Sequence, residues 1–140
     1  MNRRQRTELF IEYGQEACMS QAAELLTLYD IETMVNPQLG LMMIKQRETA
    51  QNTLFYSGEV LVTECKVRCG QVMGLGLIKG NQAEMARALA VLDLAFNAGW
   101  PECQALEAWL QDLARVKETK QAETIRRYQQ SRVDFSTMQQ

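Results

Sequence analysis

The sequence predicts an α+β fold: about four mainly antiparallel strands, with helices on one face and a long C-terminal helix followed by an extended tail. Three observations predict it. Between Glu32 and Lys79, runs that alternate at period two are separated by turn residues. Stretches with helical spacing stand on both sides of that block. The last of them continues from about Pro101 to Gln130, far longer than the others.

The elements follow in order. From about Gln5 to Met19, the residues Leu9, Phe10, Tyr13 and Ala17 share one helical face. Ser20 reads as the N-cap of a second, short helix carrying Leu25, Leu26 and Tyr29. After Asp30 the pattern changes. "ETMV" is a short strand, "NPQLG" a turn punctuated by Pro37 and Gly40, and "LMMIKQRE" a second strand. That second strand starts apolar on both faces, Leu41 and Met43 opposite Met42 and Ile44, which predicts cover on both sides. "LFYSGEVLVTECKVRC" is the clearest strand. Leu61, Thr63, Cys65, Val67 and Cys69 make its core set; Val60, Val62, Glu64, Lys66 and Arg68 make the other. Gly58 marks a bend or bulge near its start. Gly70 and Gln71 turn the chain into a fourth strand, "VMGLGLIK".

Helix resumes at Asn81, which with Glu84 resembles a capping box. Met85, Leu89, Leu92 and Phe96 form its apolar stripe, with alanines beside it for close packing. Gly99 suits the C-terminal cap and Pro101 the first turn of the next helix. A helix from Pro101 to Gln130 would be about 45 Å long, against about 37 Å for the width of a compact domain of this size. Leu106, Trp109, Leu110, Leu113 and Val116 serve its first half, whereas "KETKQAETIRRYQQ" offers mainly Ile125 and Tyr128. Residues 1–140 therefore read as one domain, with 117–140 a partner-facing helical extension and tail.

Composition bounds the function. A chain of 140 residues has the usual size of one domain and buries roughly 68–70% of its unfolded surface. The net charge of −2 argues against nucleic acid as the main partner. Arg3, Arg4 and Arg6 read as a solvated helix start. No apolar run approaches the roughly 20 residues of a membrane span. "MNRRQRTELF" has basic residues without an apolar run after them, so no signal peptide is read and a cytoplasmic protein is expected.

The chain has no histidine. It therefore cannot build a Ser-His-Asp or Cys-His nucleophile alone, and a zinc site would need cysteine and carboxylate only. Cys18, Cys65, Cys69 and Cys103 make no C-x-x-C pair. Cys65 and Cys69 have the first spacing of a C-x3-C-x2-C iron–sulfur motif, but Val72 stands where the third ligand belongs. Core packing is the expected role of these thiols, with no metal site and no catalytic residue.

The stretch "GQVMGLGLIKGNQAE" raises the question of a phosphate loop. A P-loop needs Gly-Lys-Ser/Thr, but Asn81 and Gln82 follow Gly80 and Lys79 precedes it. The dinucleotide fingerprint fails as well, because Lys79 occupies the third glycine position. Gly74 and Gly76 lie within the strand pattern, two apart and on one face, where they admit a close helix or backbone. The helix start at Gly80 and Asn81 stays as a possible anion-binding point. Among the carboxylates, Asp93 interrupts the apolar run "ALAVLDLAF", either exposed or buried with a partner.

At the tail, "SRVDFSTM" resembles the C-terminal signature of the G-subunit family (PhnG) of the bacterial carbon–phosphorus lyase core complex. "GLMMIKQR" is similar to that family's G-L-x-x-x-x-x-R strand at Gly40, Leu41 and Arg47. "FYSGEVLVTECKV" matches its aromatic-then-G-E-V strand at Phe55, Gly58 and Glu59. Gly74 and Gly80 match its paired glycines, and Asp93 its D-A-L helix. The chain departs from the family at Val35, Gln38 and Gln82, where the family carries Arg, Glu and often Asp.

The resemblance implies a role in organophosphonate catabolism. Such a complex forms ribose 1-phosphonate 5-triphosphate from ATP and a phosphonate, and a radical iron–sulfur subunit later cuts the carbon–phosphorus bond. ATP and the iron–sulfur cluster are then handled by partner subunits of the G, H, I, J set, with no cofactor in this chain. The chain reads as an accessory subunit of a transferase assembly, with neither nucleic acid nor membrane as partner. Ser131, Arg132, Val133, Asp134 and Phe135 are its expected partner-binding residues. Two rivals stay open: a subunit that binds the nucleotide triphosphate directly at Gly80–Asn81, and a small homodimeric α+β binding module.

Overall fold

The computed structural model describes residues 1–132. In order, they form α1 (Arg3–Tyr13), α2 (Gln15–Leu28), β1 (Glu32–Arg47), β2 (Leu54–Cys69), β3 (Val72–Lys79), α3 (Ala83–Ala98) and α4 (Glu102–Gln130). The α+β class, the antiparallel meander and the long last helix are as expected. The strand number is not: the sheet has three strands, in the order β1-β2-β3. "ETMV" and "LMMIKQRE" are one strand, and "NPQLG" does not turn. β1 passes through it by absorbing extra residues between Thr33 and Val35 and between Val35 and Gln38. Position explains this. β1 is an edge strand, and at a bulge on an edge the N–H that Pro37 lacks has no ladder bond to make.

Gly14 divides what reads as one helix into α1 and α2. A Cβ there would come within 2.6 Å of the Trp109 ring on α4. Ser20 is consequently interior to α2 rather than a cap, and Leu26 is exposed. The true N-terminal box is one helix earlier, where the Asn2 side chain accepts from the Gln5 N–H and the Gln5 side chain accepts from the Asn2 N–H.

α3 is the centre of the molecule. Its residues Ala88–Ala95 are all buried, because the sheet covers one side and the other helices cover the rest. The sheet contact depends on the glycines of β3. A Cβ on Gly74 would lie 2.5 Å from the Leu94 nitrogen, and one on Gly76 would lie 2.7 Å from the Ala90 nitrogen. With Ala86 and Ala90 opposite, the helix backbone rests almost directly on the strand, as the two-residue glycine spacing predicts. Thr63, Cys65 and Val67 of β2 complete this face. Gly99, at φ 69°, closes α3 in the left-handed cap read from sequence. The Tyr29 ring then stacks on Trp100 at 3.6 Å between centroids, and its hydroxyl donates to Glu102 at 2.9 Å, joining the end of α2 to the start of α4.

The β1–β2 hairpin outgrows the sheet. β3 pairs with β2 only over Val62–Cys69, so Leu41–Arg47 and Leu54–Leu61 continue as a two-stranded ribbon. A register shift between Ile44 and Lys45 leaves Ser57 as an extra residue, next to Gly58 where a bulge is expected. The ribbon is apolar on both faces, yet neither face is covered by the described residues. Leu61, expected in the core, is 43% exposed, and Leu41 is 65% exposed.

Candidate functional site

Three places on the molecule bear on function: the β3–α3 junction, the Asp93 cluster and the distal half of α4. At the junction, Gly80 takes φ 85°, a conformation that disfavours a side chain. The helix starts at Ala83, with Gln82 rather than Asn81 in the cap position. No local side chain caps it. Instead the Thr63 hydroxyl reaches across from β2, donating to the Gly80 carbonyl at 2.6 Å and accepting from the Gln82 N–H at 3.0 Å. The Gly80 N–H donates to the Leu61 carbonyl at 2.8 Å. The N–H groups of Gly80 and Gln82, two donors that an anion at this turn would meet, are thus used within the fold. Glu84 places its own carboxylate in the first helical turn. The groove beside this turn is lined mainly by Met19, Ala22, Leu26, Pro37, Arg87 and Ala88, and is mostly apolar.

Asp93 takes the buried alternative. Its Oδ2 accepts from Arg3 at 2.6 Å and from the Leu75 backbone N–H at 2.9 Å. Asn97 donates to the same oxygen at 3.4 Å and to the Met73 carbonyl at 2.9 Å. Arg3 is therefore bound, not merely solvated as a helix start. Asp93 and Asn97 together plug the outer edge of β3, which would otherwise offer free strand groups. This is a fold-closing cluster, with every oxygen contact internal.

The thiols are packing groups. Cys18, Cys65 and Cys103 are buried and Cys69 is half-buried. Burial pushes the Cys18 thiol up to about 12. Burial also raises Cys65, partly opposed by the Arg87 guanidinium, and raises Cys103. Thiolate, the form that ligates metal or attacks carbon, is disfavoured at all three. Among the described residues no three side chains of the Cys, Asp or Glu type converge as a metal site requires. The donor set does not fit an iron–sulfur cluster.

α4 docks by its first half only. Cys103, Leu106 and Leu110 are buried. At the point where the helix leaves the body, Lys117 is held by Glu8 and, at 3.1 Å, by Glu12. Beyond it Ile125 is 57% exposed and Tyr128 73% exposed. Ser131 closes the helix, its hydroxyl donating to the Tyr128 carbonyl at 3.1 Å, and the Arg132 N–H donates to Gln129 at 3.4 Å. Val133, Asp134 and Phe135 lie outside the described residues. Sequence reasoning missed the Thr63 cap and the exposed ribbon. The first left a signal, a polar residue within an apolar strand set; the second left an apolar run with no polar face.

Among the described residues no helix is long and apolar enough to cross a membrane. No curated protein matches the chain. The family model described as phosphonate metabolism protein PhnG matches residues 1–140, the full length. The strand glycines, the Asp93 helix and the tail motif that carry the resemblance all lie within that span, and the chain belongs to the PhnG family of phosphonate metabolism proteins.

Proposed function

We propose that this chain is a non-catalytic, accessory subunit of the carbon–phosphorus lyase complex. In this reading it assembles with companion subunits to form ribose 1-phosphonate 5-triphosphate from ATP and a phosphonate. The observation that carries the reading is the full-length family match. Its support from chemistry is the residue inventory: no histidine, and three of the four thiols buried with raised pKa. ATP and the iron–sulfur cluster belong to the companions in this account.

The segment 117–135 is the part assigned to partner contact. Ile125 and Tyr128 are exposed on the half of α4 that leaves the body of the described residues. A short segment with isolated apolar anchors suits a partner-binding arm. Arg132 and Asp134 flank Val133 and Phe135 and would set register more than affinity. Deleting 131–140 should leave the melt of the free chain unchanged and weaken its co-purification with the companion subunits. Phe135→Ala should reproduce most of that loss. A truncated chain that assembles with wild-type affinity would remove the tail from the reading.

A further inference from the structure

The ribbon beyond the sheet gathers many of the exposed large apolar side chains of the described residues. Eight of its large apolar side chains are 40–65% exposed. At roughly 200 Å² for a large side chain, they leave on the order of 1000 Å² of apolar surface in water. A monomer's largest apolar patch is about 300–600 Å². One partner's share of a standard interface is about 800 Å². The ribbon thus has the area of an interface and lies above the range of an ordinary surface.

Its two faces are apolar for different reasons of register. Leu41 pairs with Leu61, and Met43 and Leu39 fall on the same face, with Tyr56 beside Lys45. Met42 pairs with Val60 on the opposite face, followed by Ile44 and, beyond the bulge, Phe55. The central parts, Leu39–Ile44 and Leu54–Gly58, contain no charged residue. Glu59 pairs with Met43 on the Leu41–Leu61 face, beside Lys45. The Met42–Val60 face carries no charge through Ile44 and Gly58, which is the composition of an interface core.

The edges tell the same story. In the body, β3's outer edge is satisfied by Asp93 and Asn97, and β1 is interrupted by bulges at Asn36 and Pro37. Neither device extends to the ribbon. There β2 has lost β3 as a neighbour, and among the described residues no further strand adjoins β1.

We propose that this ribbon inserts into an apolar cleft of a companion protein subunit, whose two walls cover both faces at once. The proposal rests on the reading of this chain as a subunit of a larger assembly. A second copy fits less well. A two-fold contact presents the same patch from both copies, so face-to-face ribbons would bury one face of each and leave the other in water. The apolar groove lined by Met19, Ala22, Leu26 and Ala88 can accept a few side chains, not a whole ribbon.

The test uses the full chain co-expressed with the H-, I- and J-type companion subunits. Leu41→Asp probes one face and Ile44→Asp the other. Neither side chain belongs to the buried core, so both variants should keep the wild-type melt as free chains. Each should bind the companions at least tenfold more weakly. Hydrogen exchange of amides in Leu39–Leu61 should slow at least tenfold on complex formation with the wild-type chain. Wild-type affinity in both variants, with unchanged exchange, overturns the ribbon proposal while complex membership stands. Slow exchange already in the free chain overturns it in favour of a second copy or of residues 133–140 as the cover. A wild-type chain that binds no companion overturns the functional reading and this proposal together.

Discussion

A methyl group on Gly76 would meet the Ala90 nitrogen at 2.7 Å as well as the backbone of Ala86. Backbone in the middle of a buried helix cannot step aside as a flexible side-chain tip can, so the helix as a whole must lift from the sheet. Gly76→Ala should therefore destabilise the free chain by about 1–3 kcal/mol, and Gly76→Val by more. Denaturant midpoints would measure it; a wild-type midpoint would show that the contact is not as close as described. Thr63 carries a second single-residue dependence. Its hydroxyl is 1% exposed as part of a buried residue and makes both junction hydrogen bonds. Thr63→Val keeps the shape, removes both bonds and strands a buried N–H, which should cost about 1–3 kcal/mol. Thr63→Ser should recover most of it. Equal loss in Ser and Val variants would assign the effect to the methyl group instead.

Among the elements, β2 was legible in its bounds and in most of its core: the bounds, the buried Thr63, Cys65 and Val67, and the bulge beside Gly58 follow from period-two alternation and one glycine, whereas Leu61, expected inside, is exposed and Val62, expected outside, is buried. The close α3–β3 contact was legible for the same reason, because two glycines at spacing two must share a face. What was not legible depended on neighbours distant in sequence. Pro37 reads as a turn because sequence does not reveal that β1 lies at an edge. Gly14 breaks a helix because Trp109 arrives from a segment 95 positions away, 109 minus 14. Asn81 reads as a cap because Thr63, the real donor and acceptor, lies on another strand. The α1–α4 junction adds a pH signature. Hydrogen bonds donated to Glu8 and then Glu12 raise Lys117 above its ordinary 10.5. The Lys117 hydrogen bond and charge lower Glu8 below its ordinary 4.5. The Lys117 part is fully present below 10.5 and lost as pH rises through the raised pKa. The Glu8 part is present above 4.5 and lost as pH falls through the lowered pKa. The melting difference between wild type and Lys117→Ala should thus be flat between these limits and shrink outside them. A difference that changes steeply near neutral pH would contradict the pairing.

At the scale of the whole molecule, structure divides into a packed body and two projections. The body is α3 wrapped by the sheet and the other helices; its polar groups serve closure. The projections, the distal ribbon and the second half of α4, carry exposed apolar residues with nothing in the described chain against them. On the proposed reading, stability sits in one part of this protein and partner contact in another. Truncation of 131–140 and the ribbon substitutions should therefore alter assembly while leaving the free chain's melt in place. The fold class and family were readable from sequence because both follow from local pattern and motif. The ribbon's exposure was not, since a two-sided apolar strand looks alike whether its own chain or another covers it.

The central claim is that this chain contributes assembly rather than chemistry. The most direct measurement is turnover of ATP with methylphosphonate by purified companion subunits, with and without this chain, beside the chain alone. The account predicts ribose 1-phosphonate 5-triphosphate only in the complete mixture and no ATP turnover by the chain alone. Turnover by the isolated, contaminant-free chain, or undiminished product in its absence, would contradict it.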